Sequence, residues 1–396
     1  MAEPMRPIPV NFGQPDLTHV VGREPLLDEI RSYLEHGTSV LLTGERRIGK
    51  SWIAWSLEAA PPPGWVTVYV DVEHLSTVDQ FVRVVCERII ERLPMVQQLV
   101  DRLRQAGASD VKGLPLPLPP QEAGERLHWL IRQITEEGHR LILLLDELPI
   151  LAQTLAQNER SSALLLLRTL RALRAEERGL RLVCLGSIGF HHTLADDAES
   201  KATAGDLHVI RVGPLHQEAA VMLARRLLAG IGAPSPPGDP VAEAIAAASD
   251  HIPFYEHKLV AGLDLRRRSG LRLDVDAVWS TRQAALAAGD DPWRMDHYQD
   301  RLKEYFASEA RLAHGILDAI AVAGDGGIGF ADLVDRVAAD ENVARSEIPV
   351  NRDRVRSVLR RLQLDHYVDS TGDGTFRFCF AVVRDAWVVR RFLAPQ

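Results

Sequence analysis

Residues 44–51 read Gly-Glu-Arg-Arg-Ile-Gly-Lys-Ser, a G-x-x-x-x-G-K-S spacing without a gap. The apolar run "TSVLLTG" (38–44) stands before it, and the helix-forming "KSWIAWSLEAA" (50–60) follows and stops at Pro61-Pro62-Pro63. Nothing else in the chain limits the fold so tightly. A strand that turns through glycines into a helix aims backbone N–H groups and the positive helix end at one point, which suits a phosphate. Gly44 and Gly49 let the backbone curl around that point. Lys50 brings a mobile full charge to the β- and γ-oxygens of a nucleotide, and the Ser51 hydroxyl reaches Mg²⁺. The loop from Gly44 through Glu45, Arg46, Arg47, Ile48 and Gly49 to Lys50, Ser51 and Trp52 is therefore expected to bind ATP with Mg²⁺. The competing reading is a plain strand-to-helix turn with a surface lysine.

Such a site needs an acid at the end of a neighbouring buried strand. Asp146-Glu147 after the unbroken apolar run "LILLL" (141–145) fits. Asp146 is expected to hold Mg²⁺ with Ser51, and Glu147 to polarise an attacking water. An acidic helix start beside a core strand is the simpler alternative, and it loses ground because the cradle accompanies it. Strand patterns at "VLLTG", "WVTVYVDV", "LILLLDE", "LRLVCLGS" and "LHVIRVG" alternate with helical ones, among them 78–92 and the leucine-rich 160–178. That alternation predicts an α/β fold with a parallel sheet.

The composition is that of an ordinary globular chain, 46% hydrophobic and 25% charged. A net charge of -8 argues against a generally basic nucleic-acid binder. Cys86, Cys184 and Cys379 are widely separated, and the latter two sit in apolar runs, so buried thiols are expected rather than a disulfide or metal set. His191-His192 lacks a nearby third ligand and reads as a polar loop. The N-terminus has no apolar core of a signal peptide and no 18-residue apolar stretch occurs, so a cytoplasmic protein without membrane contact is expected.

Four segments emerge: an extended 1–18, a nucleotide-binding core at 19–213, a helical lid domain at 214–292, and a unit at 293–396. "GLPLPLPPQ" (113–121) reads as a surface insertion. The last unit offers three helices and a hairpin turning at Asp373-Gly374, the pattern of a winged helix-turn-helix. Its third helix carries Arg352, Arg354, Arg356, Arg360 and Arg361, and Arg377 lies on the wing. These suit a major groove, with Arg352, Arg354, Arg356 and Arg360 as the DNA-contact candidates. Nearby Asp353, Asp365, Asp369 and Asp373 oppose that reading, and docking on the chain's own core is the alternative. Arg266-Arg267-Arg268 reads as a solvated helix end.

"VVGRE" (20–24), "TGERRIGKS" (43–51), "LLLDEL" (143–148) and "CLGS" (184–187), continued by "VGPL" (212–215) and "DHIPFY" (250–255), resemble the archaeal-type ATPases of the AAA+/STAND group of P-loop NTPases. The resemblance covers roughly residues 15–270. It implies that Val21, Gly22 and Arg23 lie beside the adenine, that Pro214 closes its other side, and that Ser187 takes the sensor position. It departs at His251, where the family has a glycine, and in the absence of arginine from 188–206, so a ring with a trans-acting arginine is not implied. Three functions follow: a slowly hydrolysing ATP-dependent switch read by a protein partner or by self-association; a DNA-assembling ATPase of a mobile-element, replication or defence system; and a nucleotide-binding regulator without turnover.

Overall fold

The computed structural model of the chain describes residues 7–10, 17–93, 110–111, 114–115, 123–187, 206–233, 238–344 and 350–393. The His191-His192 pair, nearly all of the arginine-free loop, and the proline-rich connector apart from Leu114-Pro115 lie outside the described residues. Contacts divide the chain into two units, Arg23–Val212 and Met1–Gly22 with Gly213–Gln396.

In the unit Arg23–Val212, α1 (Glu24–Glu35) starts with a proline in its first turn and leads to β1 (Val40–Thr43). Then come α2 (Lys50–Ala59), β2 (Trp65–Asp71) and α3 (Val78–Arg92), the last capped by Thr77, which accepts from the Gln80 amide. A two-residue ribbon pairs β3 (Asp110–Val111) with β4 (Leu114–Pro115). Beyond it lie α4 (Ala123–Glu136), β5 (Arg140–Asp146), α5 (Leu148–Asn158), α6 (Arg160–Glu176), β6 (Leu180–Gly186) and β7 (His208–Arg211).

The five long strands form one sheet in the order β2-β5-β6-β1-β7, with every pairing parallel. β5 lies between β2 and β6, and Leu141 through Leu145 are each 0% exposed, which accounts for the uninterrupted apolar run. Leu143 and Leu145 share a core with Val68 and Val70 of β2 and Phe81 and Val85 of α3. α2 packs on β2, β5 and β6. The expected parallel α/β fold is observed. Because β1, β5 and β6 run the same way, the loop after β1, the end of β5 and the end of β6 share one edge of the sheet, where ligands of open α/β sheets bind.

Helix α5 was not anticipated. Leu148-Pro149 looks like a break, yet proline in the first helical turn loses no needed N–H. Cys86 and Cys184 are buried and without a disulfide, and burial pushes both thiols up to about 12. Cys379 is only half-buried, because it follows the last strand of the chain rather than lying within it.

In the other unit, α7 (Gln217–Gly230), α8 (Pro240–Ala248), α9 (Pro253–Arg268) and α10 (Val275–Ala287) follow one another along the chain. After them come α11 (His297–Phe306), α12 (Ala310–Ala323), β8 (Ile328–Gly329), α13 (Phe330–Ala338), α14 (Glu341–Ala344), α15 (Arg352–Leu364), the hairpin β9 (Val368–Ser370) and β10 (Thr375–Phe378), and α16 (Ala381–Arg390). β8 joins the hairpin in the antiparallel order β8-β10-β9. At two residues it is too short to carry a strand pattern in the sequence. Buried Arg282 of α10 donates to the Ala248 carbonyl at 2.9 Å and to Asp385 of α16 at 2.7 Å. Asp250 accepts from the Val382 amide at 2.6 Å. The amide of Ile8, from the N-terminal stretch, donates to the Arg226 carbonyl at 3.0 Å. Among the described residues no helix is long and apolar enough to cross a membrane.

Candidate nucleotide site

The loop between β1 and α2 takes the shape its glycines allow. Gly44 has φ +152, Arg47 φ +70 and Gly49 φ +102. A Cβ on Gly44 would stand 2.5 Å from the Val212 carbonyl oxygen, so the close passage of the two chains excludes a side chain there. Gly49 precedes α2 and no side chain caps that helix. The first-turn N–H groups of α2 are thus directed into the loop, where they can meet an anion.

Lys50 is 6% exposed and its Nζ donates to the Gly44 and Glu45 carbonyls at 2.8 and 3.0 Å. The ammonium is therefore folded into the hollow of its own loop. Glu45 is 2% exposed and its Oε1 accepts from the Arg46 amide at 2.8 Å. Arg46 reaches across to Glu73, just past β2, at 2.6 Å.

Arg23 is buried and donates to the Ile48 carbonyl of the loop at 2.8 Å. Burial lowers its guanidinium to about 10, which still leaves it charged at neutral pH. The observed contact ties Arg23 to the backbone of the loop. Val21 and Gly22 are half-buried and Pro214 is exposed, and these three belong to the other unit.

Parallel pairing sets Asp71 opposite Asp146 at the ends of β2 and β5. The Ser51 hydroxyl donates to Asp146 Oδ2 at 2.7 Å, joining residues 95 apart in sequence. The Tyr69 hydroxyl donates to the same oxygen at 2.7 Å. Burial raises the Asp146 carboxyl above the ordinary aspartate range, the Ser51 bond opposes the rise, and the adjacent Glu147 charge adds to it. Burial, then the Asp146 charge, raises the Tyr69 phenol, so it remains a donor. A serine hydroxyl beside a buried carboxylate is a hard-oxygen pair, and Mg²⁺ prefers such donors. The residues present fit that cation.

Glu147 has φ +58, and this left-handed turn between β5 and α5 separates its carboxylate from that of Asp146. Its Oε2 accepts from the Ser187 amide at 2.9 Å and from the Ser187 hydroxyl at 3.2 Å. Ser187, just past β6, is 1% exposed. The sequence singled out both residues but gave no sign that they touch. Sequence reasoning missed Tyr69 altogether. Its one signal was the period of "WVTVYVD", in which Thr67, Tyr69 and Asp71 alternate with valines, and that period does not name the strand opposite.

Of the candidate DNA contacts on α15, Arg354 is half-buried and its Nε donates to Glu309 at 3.0 Å. Arg361 meets the same carboxylate at 2.7 Å. Arg352 and Arg356 lie over the Phe330 ring at 5.5 and 5.3 Å and are exposed, as is Arg360. Glu309 precedes α12, and the sequence gave no reason to bring it to α15.

Residues 19–183 match the family model of the AAA ATPase domain. No functionally curated protein matches the chain. Among solved structures, the chain is similar to a Walker-type ATPase of Pyrococcus abyssi at 20% identity and a TM-score of 0.64, covering 96% of this chain and 99% of that one. It is also similar to the ORC2 protein of Aeropyrum pernix, solved with ADPNP and ADP, at 15% identity and a TM-score of 0.51, covering 94% of each chain. At these identities the likeness is one of fold, and with the match of residues 19–183 to the AAA ATPase model it identifies an α/β P-loop NTPase fold.

Proposed function

We propose that the protein binds ATP with Mg²⁺ and hydrolyses it slowly, and that nucleotide occupancy controls its engagement of a partner. One observation carries this reading: the loop holding Lys50 delivers Ser51 to within 2.7 Å of Asp146, the acid at the end of β5, which is not the strand next to β1 as expected but one strand further, beyond β6. In this reading Lys50 exchanges its two loop carbonyls for phosphate oxygens. Ser51 and Asp146 hold the cation, which when bound neutralises charge on the β- and γ-phosphates. Glu147 orients and polarises the attacking water, and Ser187 sets the Glu147 carboxylate. Arg23 keeps the loop in shape through its bond to the Ile48 carbonyl.

The C-terminal elements from α12 to α16 are read as a winged helix, whose three-stranded sheet and preceding helix α15 support that assignment. Residues 214–292 are read as the lid. A second reading, assembly on DNA, is favoured by one observation: Arg352, Arg356 and Arg360 recur every four residues and are exposed on α15. The deciding experiment measures ATP hydrolysis with and without duplex DNA and with Lys50→Ala as control. Stimulation by duplex supports the second reading. Slow turnover unaffected by DNA supports a switch read by protein. Binding without turnover leaves a nucleotide-dependent regulator, and absence of binding removes the proposal.

A further inference from the structure

The Tyr69 hydroxyl belongs to no motif, yet it meets the one oxygen that Ser51 also holds. Three contacts fix the ring that carries it. The Tyr69 amide, on the outer edge of β2, donates to Glu58 of α2 at 3.0 Å. The Trp55 ring packs edge-on against Tyr69 with centroids 5.9 Å apart. Trp52, the residue after Ser51, packs edge-on against Trp55 at 5.7 Å. The phenol is therefore braced from α2, the same helix that presents Lys50 and Ser51 at its start.

A carboxylate oxygen offers two lone-pair directions. Two hydroxyls at 2.7 Å occupy those of Oδ2, and this stops the carboxylate from rotating about its Cβ–Cγ bond. Oδ1 is left to the cation or to a water of its shell. We propose that Tyr69 is a positioning residue for the cation site: it locks the Asp146 carboxylate in the orientation that receives Mg²⁺ with the nucleotide. The inference rests on the nucleotide reading above. The groups behind a metal's ligands tune its affinity by orienting those ligands, and losing one such partner typically weakens metal binding about 10- to 100-fold.

The test uses Tyr69→Phe, which keeps the ring and its packing and deletes the donor. A fluorescent, non-hydrolysable ATP analogue is bound to the full chain, and Mg²⁺ is titrated while analogue anisotropy is read. We expect the Mg²⁺ midpoint to rise about tenfold in Tyr69→Phe. Analogue affinity in the presence of a chelator should match the parent protein. In an Asp146→Asn background, Tyr69→Phe should add nothing, because the hydroxyl acts only through that carboxylate. An unchanged Mg²⁺ midpoint overturns the proposal, as does a shift that persists undiminished beside Asp146→Asn. Loss of analogue binding by the parent protein at every Mg²⁺ concentration overturns the nucleotide reading itself. A parent protein that binds normally while Tyr69→Phe shows no shift overturns only the role of Tyr69.

Discussion

Glu147 and Ser187 lie 40 positions apart, and the Ser187 amide and hydroxyl both donate to a single carboxylate oxygen of Glu147. The acid that follows the buried strand is thus held by the end of the next strand. In Glu147→Gln we expect ATP affinity to stay within about twofold and hydrolysis to fall about 100- to 10,000-fold, the usual span for loss of a general base. Equilibrium binding of labelled ATP beside a phosphate-release assay checks both halves. Normal turnover would remove Glu147 from the chemistry.

Ser187→Ala deletes the 3.2 Å hydroxyl bond and keeps the 2.9 Å amide bond. One hydrogen bond to a charged group contributes about 1.5–3 kcal/mol, so kcat should drop about tenfold with KM little changed. Steady-state kinetics read the split. A rise in KM alone would argue that Ser187 binds nucleotide instead of setting Glu147.

Lys50 sits in the hollow of the loop with its Nζ on two carbonyls. Lys50→Ala should weaken ATP binding about 10- to 100-fold, from the loss of charge-assisted bonds worth about 1.5–3 kcal/mol. Calorimetric titration measures it, with circular dichroism confirming that the fold is retained. ATP affinity equal to that of the parent protein would contradict the site.

Arg354 and Arg360 share α15 and should behave differently. Arg354→Ala breaks a half-buried pair with Glu309 and should lower stability by up to about 1 kcal/mol. Exposed Arg360 should leave stability unchanged when replaced by alanine. If α15 meets duplex DNA, Arg360→Ala should reduce the slope of log affinity against log salt by about 0.9, the value of one phosphate contact. Urea unfolding and DNA titration at several salt concentrations give the two readouts.

Glu256 on α9 is 0% exposed, both carboxylate oxygens lack a hydrogen-bond partner among the described residues, and burial raises its carboxyl well above the ordinary 4.5. A carboxyl raised on folding stabilises the fold fully below its unfolded pKa, and that contribution is lost as pH climbs through the folded value. Stability should therefore decline by about 1.4 kcal/mol per pH unit in that window. Glu256→Gln should remove this decline and raise the melting temperature more at pH 8 than at pH 5. Parallel pH dependence in the two proteins would mean that the carboxyl finds a partner in solution.

How much was legible in the amino-acid order differs from element to element. The unbroken apolar run over 141–145 announced a strand covered on both faces. The hairpin turn at Gly374, with φ +83, needed only local backbone chemistry. Helix α5 escaped because a proline in a first turn looks the same in sequence as a proline that breaks a helix.

Local chemistry along the chain sufficed for the phosphate loop, because glycine conformations, a lysine and a serine at fixed spacing act within a few residues of one another. Meetings across the sheet came from another source. Ser51 and Tyr69 reach Asp146, and Ser187 reaches Glu147, because the strands stand in the order β2-β5-β6-β1-β7. Arg354 turned to Glu309 in the same way, through the packing of helices far apart in the chain. Strand order and helix neighbours depend on the combined burial of the whole core, and no single segment carries that sum in its own residues.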